Sequence, residues 1–183
     1  YFLIIIFIFL LSFVGGKTKL ISVKKWLYLK NLTFFVFFYL VLVGLITQIL
    51  KHIIGRPRPN YVDFDTGTSF SFFSTDASFH SFPSGHSSTI FSVALMLSLI
   101  VPGLRFFFLL FGFIVALSRV VVGAHFTTDI VAGGLVAIIL YKIFLIILEK
   151  RYPSTPFQNF KIKNNSLLLK VNIVFLIIGV FLT

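Results

Sequence analysis

The sequence predicts an all-α protein, a polytopic bundle of transmembrane helices, on three observations. Hydrophobic residues make up 58% of its 183 residues and charged residues only 11%, against roughly 25% charged in ordinary soluble domains. Mean hydropathy is +1.05. The apolar residues fall in long runs without strand-like alternation. A water-soluble fold of this length cannot hide so much apolar surface, so lipid must solvate it. One membrane domain over 1–183 is expected, without length for a second globular domain. The absence of cysteine excludes disulfides, thiolate metal sites and a cysteine nucleophile. Asp63, Asp65, Asp76, Asp129 and Glu149 are the only acidic residues, too scattered for a carboxylate-bridged pair of metal ions. No metal and no cofactor is expected.

The runs are Phe2–Val14, Leu32–Leu50, Ser87–Val101, Leu104–Val122, Phe126–Leu148 and, more weakly, Val171–Leu182. Crossing the hydrocarbon layer takes about 20 helical residues, with a range of about 17–25. The second, fourth and fifth runs meet this directly. Either Phe82–Ser84 or the turn at Pro102-Gly103 can lengthen the third, whereas Lys170 and Asn172 weaken the last. The first run lacks the basic leader of a signal peptide, and the chain reads as a fragment of a longer protein.

Charge then orients the bundle. Of 16 basic residues, all but Lys51, Arg56, Arg58 and Arg119 fall on one side of the membrane, which the positive-inside rule makes cytoplasmic. Those four, the four histidines and the four aspartates gather on the opposite face. The +11 net charge is thereby explained by topology, and no nucleic-acid partner is expected.

Three segments return to that outer face, and they read K-x₆-R-P, P-S-G-H and S-R-x₅-H-x₃-D. With Lys51, Arg58, Pro59; Pro83, Ser84, Gly85, His86; and Ser118, Arg119, His125, Asp129 all in place, the chain resembles the type 2 phosphatidic acid phosphatase family, which is related to vanadium haloperoxidases. The resemblance covers roughly 32–148, the expected catalytic core. It implies six transmembrane helices, of which Phe2–Val14 would be the second and the first would be missing. It also implies inhibition by vanadate, and an activity: hydrolysis of a phosphate monoester or diphosphate on a membrane lipid.

The residue chemistry agrees. His125 and Asp129 are four apart, neighbours on a helix face. A carboxylate there can fix one imidazole nitrogen and leave the other to attack phosphorus, giving a phosphohistidine. His86, at an expected helix start, is placed to protonate the leaving alkoxide. Ser84 and the Gly85 N–H favour an anion at that start. Lys51, Arg58 and Arg119 can balance the charge on the phosphoryl oxygens. Arg56 reads equally as a headgroup contact or a water-facing cation, and His52 and His80 carry no motif role. The loop from Asn60 to Phe82 reads either as an aromatic lid or as ordinary interfacial packing.

The sequence leaves the substrate open among phosphatidic acid, phosphatidylglycerol phosphate, undecaprenyl diphosphate and lipid A phosphates. A phosphotransferase with a non-water acceptor, or a non-enzymatic membrane subunit, are the rival readings. Richness in Phe, Ile, Lys and Asn and the small size fit a bacterial inner-membrane protein with its site facing the periplasm.

Overall fold

The computed structural model describes residues 23–62 and 69–151. The expected helices at 2–14 and 171–182, and the loop residues Asp63, Phe64 and Asp65, lie outside them. Four helices carry the architecture: α1 (Val23–Ile54), α2 (Gly85–Ile100), α3 (Arg105–Val121) and α4 (Thr127–Arg151). Short 3-10 turns lie at Pro59–Tyr61, Ala77–Phe79 and Pro102–Leu104. The all-helical expectation holds throughout the described residues. Three segments, Lys30–Tyr61, Pro102–Val121 and Thr127–Lys150, are long and apolar enough to cross a membrane, while Gly85–Ile100 is shorter. The chain is an integral membrane protein.

Local sequence sets the end of α1 and both ends of α2. At the end of α1, Gly55 takes φ +56°, a conformation open to glycine at little cost, and Pro57 then bars any continuation. Ser71 closes on this turn, its N–H donating to the Gly55 carbonyl at 2.8 Å. Ser84 caps α2, its side chain accepting from the Ser87 N–H, as N-cap serines do. Pro102-Gly103 separates α2 from α3. Among the described residues α1 already runs as helix from Val23, ahead of the apolar run that starts at Leu32.

α1 passes from one compact unit, which ends at Leu42, into a second that starts at Val43 and holds every functional side chain discussed below. Within that second unit α2 is central, packed along both α3 and α4. It buries a broad face that includes Ser87, Phe91, Leu95, Ser98 and Leu99 and leaves Leu97 and Ile100 exposed on the other. α3 buries only Gly112 and Ala116 and turns Phe106, Phe107, Phe111 and Ile114 outward, as a lipid-facing helix should. Small residues make the close contact: a Cβ on Gly112 would sit 3.4 Å from the Ala94 Cβ, a device common in membrane helix pairs.

Buried hydroxyls in α2 are satisfied locally, as an apolar solvent demands. Ser92 donates to the Ser88 carbonyl at 2.6 Å and Ser98 to the Ala94 carbonyl at 2.6 Å. Two others tie helices together. Ser87 Oγ donates to the Ile130 carbonyl at 2.7 Å, and Ser88 Oγ lies 3.1 Å from Thr47 Oγ1 on α1. Gly133 lets α4 approach the start of α2 so closely that a Cβ there would fall 2.5 Å from the Ser84 carbonyl oxygen.

Candidate active site

The three sequence segments meet at the starts of α2 and α4, the end of α1 and the turn after α3. Backbone bonds knit them. The Ser84 N–H donates to the Asp129 carbonyl at 2.9 Å, Ser81 N–H to the Arg56 carbonyl at 3.0 Å, and Arg58 N–H to the Ser78 carbonyl at 2.9 Å. After α3, the Ala124 and His125 amides both fold back onto the Arg119 carbonyl, at 3.0 and 3.3 Å. That turn carries His125 back beside Arg119.

His125 therefore does not lie on the helix with Asp129, as the four-residue spacing suggested. α4 begins only at Thr127, because Asp129 is spent on starting it: its Oδ2 accepts from the Phe126 N–H at 2.9 Å, one half of a capping box. The pair still meets. His125 Nδ1 stands 3.6 Å from Asp129 Oδ2 and 3.5 Å from Ser81 Oγ, with His125 and Asp129 both buried. At 3.6 Å this is an orienting contact rather than a formed hydrogen bond.

Asp129 is the most heavily engaged group. Besides Phe126, its Oδ2 accepts from Ser81 Oγ at 2.6 Å, and its Oδ1 accepts from Arg56 Nη1 at 2.8 Å. Arg56 and Asp129 form a partly buried ion pair and largely cancel one another.

Lys51, Arg58 and Arg119 face no carboxylate at ion-pair distance among the described residues. Lys51 is buried and donates to the His80 carbonyl at 2.7 Å, and its Cε would lie 3.6 Å from a Cβ on Gly85. Arg58 Nε donates to the Ala77 carbonyl at 3.2 Å. Arg119 Nε is buried without a hydrogen-bond partner, a state that proteins rarely tolerate unless ordered water or a ligand completes it. The exposed His86 imidazole lies within electrostatic reach of Arg119, His125, Lys51 and Arg58. The two imidazoles and three cations thus share one region.

Ser84 lies fully buried and acts as the α2 cap, accepting from Ser87 N–H at 3.3 Å. Gly85 and His86 are the first two residues of α2, so no residue of that helix lies four positions back to accept from their amides. Such a helix start, rimmed by cations, suits a multiply charged anion. Inorganic phosphate is accordingly expected to raise the thermal midpoint of the wild-type protein in detergent. At 100 times Kd the gain is about 2.7 kcal/mol. Arg119→Gln is expected to lose most of the shift, and an equal shift in both proteins would remove Arg119 from the site.

Other contributors lie outside the set of site residues that the sequence suggested. Arg56, read there as a headgroup contact or water-facing cation, turns inward, donating to Thr128 Oγ1 at 2.6 Å as well as to Asp129. Its guanidinium carbon lies 4.2 Å from the Phe126 ring centroid. Ser81 and the His80 carbonyl complete the set. Of these only Arg56 gave any signal, its place in the stiff Arg-Pro-Arg-Pro stretch. The His80 ring is engaged elsewhere, 2.9 Å from the Ser74 carbonyl and 4.3 Å between centroids from His52.

Residues 32–153 match the family model described as PAP2 superfamily. The chain is 37% identical over 107 residues to a Lipid A 1-phosphatase of Rhizobium johnstonii, covering 58% of this chain and 44% of that protein. It is 36% identical over 135 residues to a Lipid A 1-phosphatase of Rhizobium etli, covering 70% and 58% respectively. The Bacitracin transport permease protein BcrC of Bacillus licheniformis is 29% identical over 101 residues, 55% of this chain and 50% of that one. The chain thus spans about half the length of these curated relatives. No solved structure matches it.

Proposed function

Because the chain belongs to the PAP2 superfamily, we propose that it is a membrane lipid phosphatase working through a phosphohistidine on His125. The observation that carries this reading is the gathering of His86, His125, Lys51, Arg58 and Arg119 in one electrostatic neighbourhood. The phosphate of the lipid occupies the cationic region, held by Lys51, Arg58, Arg119, the Ser84 turn and the Gly85 N–H. With Nδ1 of His125 turned to Asp129, Nε2 attacks phosphorus in line. The phosphorus–oxygen bond to the lipid breaks as His86 gives its proton to the departing oxygen. Water, deprotonated by His86, then cleaves the phosphorus–nitrogen bond and frees phosphate. Protein cations supply the charge stabilisation, so the scheme calls for no metal.

Two of the relatives bear the name Lipid A 1-phosphatase, which favours a phosphorylated lipid of that class as the first substrate to try. The charge segregation along the chain favours an inner-membrane protein whose site faces the periplasm. The test is phosphate release by purified protein in detergent from lipid A, phosphatidic acid, phosphatidylglycerol phosphate and undecaprenyl diphosphate. Release from at least one is expected, with an acid-labile, alkali-stable phosphoenzyme trapped by rapid quench. Release from none overturns the activity. Phosphate found on an added alcohol rather than in water identifies a phosphotransferase, and turnover without a trapped phosphoenzyme removes the histidine intermediate.

A further inference from the structure

We propose that Arg56 is a positioning residue, which through Asp129 fixes the orientation of the His125 imidazole and does not itself hold the phosphate. The inference rests on the reading of His125 as nucleophile.

Arg56 grips the start of α4 through three residues, Phe126, Thr128 and Asp129. Nη1 donates to Asp129 Oδ1 at 2.8 Å and to Thr128 Oγ1 at 2.6 Å. The guanidinium lies over the Phe126 ring at 4.2 Å, within cation–π range. These partners begin one residue after His125. The Arg56 carbonyl in turn accepts from the Ser81 N–H at 3.0 Å, and Ser81 Oγ donates to Asp129 Oδ2 at 2.6 Å. One residue thus restrains both carboxylate oxygens, one by its side chain and the other by way of Ser81.

A carboxylate that is 0% exposed is costly to leave unpaired in a low-dielectric interior. Arg56 is its cationic hydrogen-bond partner, and it keeps Asp129 an acceptor for an imidazole N–H. Contacts separate Arg56 from the other cations. Its side chain meets Thr128, Asp129 and Phe126, whereas Lys51, Arg58 and Arg119 meet no carboxylate at ion-pair distance among the described residues.

The test is the rate constant of phosphoenzyme formation in rapid quench, measured with KM for wild type, Arg56→Gln, Arg56→Lys and His125→Gln. This rate constant is independent of the fraction of protein that is folded, so a merely structural role would not move it. Arg56→Gln is expected to lower it roughly 10- to 100-fold, the scale of a small misplacement of reacting groups, with KM changed less than twofold. Arg56→Lys, which restores the charge, is expected to recover most of the loss. Should Arg56→Gln not fold, Thr128→Val removes the 2.6 Å anchor with the ion pair intact and is expected to lower the same rate constant severalfold. An unchanged rate constant in the folded variants, or a raised KM at an unchanged rate constant, overturns the positioning role. Activity surviving in His125→Gln would instead overturn the nucleophile assignment, so the two failures are distinguishable.

Discussion

Replacing His125 with Gln is expected to lower kcat for lipid phosphate hydrolysis by on the order of 10⁴-fold or more, the scale seen when a catalytic nucleophile is removed. The glutamine amide has nearly the reach of the imidazole but no nitrogen lone pair able to attack phosphorus. The substitution leaves the backbone fold of the turn alone, since it is the His125 main-chain N–H that donates to the Arg119 carbonyl at 3.3 Å. Binding should therefore survive, because Lys51, Arg58 and Arg119 are untouched. Equilibrium binding of a non-hydrolysable lipid phosphonate, measured alongside steady-state phosphate release, checks both halves. More than about 1% of wild-type kcat would point to another nucleophile.

Asp129→Asn is expected to be nearly as damaging to rate and more damaging to stability. The carboxylate presents only acceptors, and its partners Arg56, Ser81 and the Phe126 N–H all donate. An asparagine of the same shape offers one oxygen and turns an NH₂ on the remaining donors. It cannot hold the Nδ1–H tautomer of His125, and loss of that tautomer in a comparable histidine–aspartate pair costs about 10⁴-fold in kcat. It also leaves the Arg56 guanidinium without a counter-charge. Breaking a buried pair typically costs about 3–5 kcal/mol, and Arg56 is 22% exposed, so the lower end applies, about 3 kcal/mol. Thermal unfolding in detergent and phosphate release together test this. Wild-type stability with normal turnover would show the contacts to be incidental.

The helices were legible because an apolar run of membrane length has few alternatives. Leu104–Val122 is matched within one residue at each end by the helix Arg105–Val121, and the start of Phe126–Leu148 within one residue by the helix that begins at Thr127. The ends were less so, because a helix stops on local chemistry, such as the positive φ of Gly55, rather than on hydropathy. For the site, the segments holding Lys51, Arg58, His86, Arg119, His125 and Asp129 were expected from the sequence to return to one side, and the structure brings these residues near one another. What pattern could not supply was the partner of each polar group. Arg56 and Asp129 are 73 residues apart, a separation with no periodic signature. The oxygen that takes the Lys51 ammonium belongs to the His80 backbone, and main-chain atoms carry no sequence information. The spacing of His125 and Asp129 suggested a helical pair, but the actual contact arises because the aspartate caps the helix that the histidine precedes.

The shortness of α2 has a further bearing on how a lipid could be served. Its 16 residues rise about 24 Å, some 6 Å less than a hydrocarbon layer of about 30 Å. A helix of that length set across the layer falls short of one boundary by that margin, which would leave its first turn and the imidazole there in a dimple just beneath the headgroups. Non-helical chain is stable at such depth only when protein satisfies its amides, and the bonds from Ser81 to Arg56 and from Ser84 to Asp129 do so. A phosphorylated lipid could then be dephosphorylated without lifting its tails out of the bilayer, a convenience that a water-borne ester of the same headgroup would not share.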